Sequence, residues 1–78
     1  MIHNILYCSL MDNQISSFPK CLLALTNLIS LDFSGNKMTA IPDDMIKLIR
    51  LQYLRYERNP VTDKSEEVKR FAKKRRFL

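Results

Sequence analysis

Three asparagines, Asn13, Asn36 and Asn59, stand 23 residues apart, and the apolar residues around them keep the same interval. Ile5, Leu28 and Leu51 form one column, Cys8, Leu31 and Leu54 a second, Leu10, Phe33 and Tyr56 a third, and Ile15, Met38 and Val61 a fourth. Phe18 and Ile41 precede Pro19 and Pro42, whereas the third position of that column is Lys64, where the pattern is expected to stop. A repeat this short cannot enclose a core of its own, so its units must stack and share one. From Leu28 to Leu51 the apolar spacings fit neither a plain helix nor a plain strand. They fit a short strand that turns at Ser34, Gly35 and Asn36 and returns through a looser segment.

The stretch from Leu28 to Pro42 reads L-x-x-L-x-F-x-x-N-x-M-x-x-I-P, which resembles the leucine-rich repeat. The 23-residue form, the absence of terminal cysteine clusters and the Asn59-Pro60 pair resemble intracellular members of that family, at the C-terminal end of a longer array. The resemblance covers Ile5 to Val61 and implies an α/β solenoid. Three short parallel strands would line its concave side, an irregular, 3₁₀ or short helical segment its convex side, and a C-terminal helix would cap it. The expected division is an N-terminal tail at 1–4, repeats at 5–27, 28–50 and 51–64, and a basic amphipathic capping helix at 65–78. In the family the asparagine of each repeat bonds to backbone of the loop and of the neighbouring repeat, so Asn13, Asn36 and Asn59 would form a ladder. An amide suits that role because it both donates and accepts.

Along the chain, alternation around Tyr7–Leu10 turns Cys8 and Leu10 inward and leaves Tyr7 and Ser9 outward. Pro19 and Pro42 suit the bend onto the convex side, since proline holds φ and lacks a donor. The threefold spacing of Leu22, Leu25 and Leu28, and of Met45, Leu48 and Leu51, fits a short helix or 3₁₀ turn. Asp43 and Asp44 complement the start of such a turn. Beyond Asp63, an N-cap at Asp63 or Ser65, acids at Glu66 and Glu67 and a stripe of Val68, Phe71 and Ala72 spell a helix. Val68 and Phe71 lie 23 residues past Met45 and Leu48, so that helix would close the stack. No comparable cap precedes Ile5, which predicts a bare N-terminal repeat open to self-association or to further repeats.

Composition narrows the function classes. No run of about 20 apolar residues would span a membrane as a helix, and the first residues carry no basic, apolar leader pattern. Cys8 in a core column and Cys21 on the descending segment read as two free thiols, which points to an intracellular, cytoplasmic protein, with a nuclear location as the alternative. Two cysteines and His3 do not make a zinc site. A lone histidine outside the repeats and a single glycine offer neither an activated nucleophile nor a phosphate loop. The expectation is a non-enzyme without cofactors or metal.

The resemblance implies a protein–protein interaction module, a scaffold or adaptor in intracellular signalling, that binds through its concave face. The matching positions are Tyr7, Ser9, Ser30, Asp32, Tyr53, Arg55, Glu57 and Arg58, with Asp32 and Arg55 close enough to pair. The protein's net charge of +5 lies entirely from Lys64 onward. The patch Lys73, Lys74, Arg75 and Arg76 is therefore the alternative site, for nucleic acid, an anionic membrane surface or nuclear import. Its plainer reading is a helix end complementing its dipole. Asn36→Leu is expected to lower stability by about 1–3 kcal/mol by orphaning buried backbone groups; urea unfolding that superimposes on wild type contradicts the ladder.

Overall fold

The computed structural model describes residues 5–77. The expected tail at 1–4, with His3, and Leu78 at the other end lie outside the described residues. Each repeat opens with a three-residue strand: β1 is Tyr7–Ser9, β2 is Ser30–Asp32 and β4 is Tyr53–Arg55. They pair in parallel with the register of the 23-residue period, Cys8 beside Leu31 and Leu31 beside Leu54. After each of the first two strands the chain bends at proline, with Pro19 at φ −67° and Pro42 at φ −71°, into a 3₁₀ turn at Lys20–Ala24 or Asp43–Lys47. Leu22, Met45 and the equivalent Val68 point from these convex segments into the core. There they meet Leu28, Leu31, Phe33, Leu48, Leu51 and Leu54. Burying one such aliphatic side chain is worth about 1.5–3 kcal/mol, and every one of them needs the next repeat as its lid.

The asparagines tie the repeats together where no ladder does. Asn36 donates from Nδ2 to Leu10 O of the previous repeat at 2.8 Å and to Phe33 O of its own at 2.7 Å, and its Oδ1 accepts from Ile15 N at 3.0 Å. Asn59 repeats this set one unit later, with Phe33 O at 2.9 Å, Tyr56 O at 3.0 Å and Met38 N at 2.9 Å. Among the described residues Asn13 makes the local half, to Leu10 O and Met11 O, and it is exposed.

The repeat continues further than its side chains suggest. Lys64 breaks the apolar column, yet β5, Asp63–Lys64, pairs in parallel with β3, Ala40–Ile41, in the same register. Backbone pairing needs no apolar side chain, so the repeat persists there in main chain alone. Next, α1 occupies the third convex segment. It spans Glu66–Ala72 rather than the expected 65–78, and its N-cap is Ser65, whose hydroxyl accepts from Val68 N. Asp63 is not the cap; it lies in β5.

Past α1 the chain does not stay helical. It returns to the sheet as β6, Arg76–Phe77, beside β4, so the concave sheet has four strands in the order β1-β2-β4-β6 where three were expected. Arg76 N donates to Gln52 O at 2.8 Å, as Tyr53 N donates to Ile29 O at 3.0 Å one repeat earlier. The physical reason is Arg75. Its guanidinium donates to Leu51 O at 2.6 Å, Ile49 O at 3.0 Å and Phe71 O at 2.9 Å and lies 3.7 Å from the centroid of the Phe71 ring. Phe77 then packs edge-on against Phe71 at 5.8 Å. Arg75→Lys keeps the charge but not the planar fork that reaches three carbonyls. The expected loss is about 1.5–3 kcal/mol in urea unfolding; a lysine variant as stable as wild type contradicts the clamp.

Candidate functional site

Parallel register turns the outward residues of the strands into lateral columns spaced by about 4.8 Å. One column runs Tyr7, Ser30, Tyr53 and Arg76, and a second Ser9, Asp32 and Arg55. Tyr7 is 70% and Tyr53 48% exposed, Ser9 and Arg55 are exposed, and Ser30 and Asp32 are half-buried between them. Glu57 and Arg58 follow on the exposed turn after β4. The eight sequence-derived positions therefore share one side of the sheet and its rim.

The expected pair between Asp32 and Arg55 does not form among the described residues. Asp32 Oδ1 instead accepts from Ser34 N at 2.8 Å, which turns the carboxylate down its own chain. The ion pair of this face lies one turn further, where Arg58 Nη1 meets Asp12 Oδ1 at 3.0 Å. These two residues are two repeats apart, and Gly35 stands between them at the equivalent position of the middle repeat. All three take the left-handed conformation, with φ of 58° at Asp12, 75° at Gly35 and 57° at Arg58. A Cβ on Gly35 would collide with Asp12 Oδ1 and approach Arg58 Nη1 to 3.2 Å. Glycine thus meets two demands, a left-handed turn and a clear path for the bridge.

The basic patch divides. Lys73 and Lys74 are exposed on the turn after α1, Arg75 is committed to the carbonyls of the third repeat, and Arg76 joins the concave sheet beside Tyr53. Arg76 was missed as a concave residue although it lies 23 residues past Tyr53, as Phe77 does past Leu54. Those intervals were the available signal. Cys8 and Cys21 are both free thiols. Burial, and then the neighbouring Cys21, push the Cys8 thiol above its ordinary range. No group of three or more potential metal ligands occurs among the described residues.

No family model and no curated protein sequence matches the chain. Among solved structures the fold is similar to that of a leucine-rich repeat protein of Leptospira interrogans, with a TM-score of 0.78 and 32% identity. The match covers 91% of this chain and 18% of that one, so the chain spans under a fifth of that protein's length. Gly35→Ala is expected to lower stability by about 1–2 kcal/mol through left-handed strain alone. An alanine variant with an unchanged urea midpoint contradicts the left-handed strain assigned to this turn.

Proposed function

Since the chain folds as a leucine-rich repeat solenoid, we propose that it is a non-catalytic module that binds a protein partner through its concave sheet. The observation that carries this reading is the column of Tyr7, Ser30, Tyr53 and Arg76, held in register by backbone pairing. Tyrosine and arginine are the types that most often carry binding energy at protein interfaces. Here they are presented on strands, so little conformational freedom is lost on contact. Arg55, Glu57 and the Asp12–Arg58 pair supply a polar rim of both signs.

We assign the module the role of a scaffold or adaptor in intracellular signalling. The support is the 23-residue repeat form with free thiols and no cysteine clusters. A second reading, attachment to nucleic acid or an anionic membrane surface, draws on the exposed cations Lys73, Lys74 and Arg76. The two readings separate in one experiment. Immobilised wild-type protein, Tyr53→Ala, Arg55→Glu and a Lys73→Glu/Lys74→Glu variant are used for capture from a cell lysate, with quantitative mass spectrometry. The expected outcome is a set of proteins retained by wild type and by the lysine variant but lost with Tyr53→Ala and Arg55→Glu. Capture that survives both concave substitutions, vanishes with the lysines and falls steeply with salt supports the second reading instead.

A further inference from the structure

A groove opens on the C-terminal flank of the solenoid, away from the column of exposed tyrosines. It is lined by Tyr56, Val68, Ala72 and Phe77 at its apolar surface and by Lys64, Lys69 and Lys73 around them, with a volume of about 250 Å³. Lys64 comes from β5 and Phe77 from β6, Val68, Lys69 and Ala72 lie on α1, Lys73 follows on the turn after it, and Tyr56 follows β4. Tyr56 is the third member of the core column that begins with Leu10 and Phe33, so the groove exposes the flank of the shared core.

Its chemistry is one-sided. The lining holds three ammonium groups and no carboxylate. Lys64 is positioned rather than loose, since its Nζ donates to the Tyr56 hydroxyl at 3.1 Å and stands 5.5 Å from the centre of that ring. Lys69 is held at 3.5 Å by Glu66 on the rim of α1. The volume falls below the roughly 300–1,000 Å³ of pockets that engulf a small molecule, and suits one large side chain. An occupant must then bring one apolar group and several negative charges close to it.

We propose that this groove docks an acidic segment of a partner protein. One large apolar side chain inserts against Val68, Ala72 and Phe77, and flanking carboxylates meet Lys64, Lys69 and Lys73. A phosphate backbone would satisfy the lysines and leave the apolar floor empty. A membrane surface favours an extended cationic plane, whereas on α1 Lys69 and Arg70 are each paired with a glutamate, at 3.5 Å in both cases. The surface is distinct from the concave sheet, so one chain could hold two partners or two parts of one.

The test is an NMR titration of the isotope-labelled protein with a blocked pentapeptide, one tryptophan flanked on each side by two aspartates. The expected result is saturable shifts at the amides of Lys64, Val68, Lys69, Ala72, Lys73 and Phe77, with a Kd in the millimolar range or tighter. Replacing the peptide's tryptophan by alanine, or its aspartates by lysines, should abolish them. Lys64→Glu/Lys73→Glu should weaken binding about tenfold, because attraction becomes repulsion at two rim positions, while Tyr53→Ala leaves it unchanged. Equal binding of the alanine peptide, shifts centred on Tyr7 and Tyr53, or no shifts at all overturns the proposal. So does binding of phosphatidylserine vesicles in place of the peptide. The peptide comparisons use wild-type protein, so they stand even where the double variant does not fold.

Discussion

Side-chain amides after the second and third repeat strands, Asn36 and Asn59, tie this solenoid together. Asn36 and Asn59 each reach back to the preceding repeat, donating to a carbonyl 26 residues earlier and accepting from an amide 21 residues earlier. Those backbone groups lie where the strand has stopped and no ladder can satisfy them, and a buried unpaired amide costs about 1–3 kcal/mol. Hydrophobic burial makes stacking favourable, and alternation with strand pairing already resists a slip of one residue. The asparagine adds a further constraint, because donor and acceptor must both find their partners. Together they fix the register that places Tyr7, Ser30, Tyr53 and Arg76 in one line.

The same logic operates at the turn and at the C-terminal flank with different groups. Asp12, Gly35 and Arg58 share one left-handed position, and an ion pair runs across the middle repeat only because that repeat has no Cβ there. An exposed pair of this kind adds little stability, about 0–1 kcal/mol; its effect is to fix the rim of the concave face. Arg75 completes backbone groups in the third repeat as an asparagine would, and does so with a fork long enough to reach Leu51, Ile49 and Phe71 together.

Much of this was legible because stacking imposes the period on every column that faces the core. Leu28, Leu31, Phe33, Leu48, Leu51 and Leu54 announce strand, turn and convex segment by their spacing, and all are buried. What was not legible follows from the same cause. β5 pairs through main chain, which leaves no apolar trace at Lys64. Arg75 and Arg76 look like a solvated helix end, since charge alone does not distinguish a guanidinium stacked on a ring from one in water. Of the candidate site, the columns followed from the period, whereas the diversion of Asp32 to Ser34 N depends on a local turn that spacing does not encode.

The central claim concerns amides that only an asparagine side chain protects, and hydrogen exchange reads them directly. Met38 N donates to Asn59 Oδ1, while Lys37 N, one residue away, donates to the backbone carbonyl of Ile15. In native wild-type protein the Met38 amide should exchange as slowly as that of Lys37. In Asn59→Ala, under conditions where the fold persists, Met38 alone should accelerate, by about tenfold or more for the loss of a bond worth 1.5 kcal/mol. Equal protection of Met38 in the two proteins would contradict the account, because packing and strand pairing would then hold the repeats in register without the asparagine.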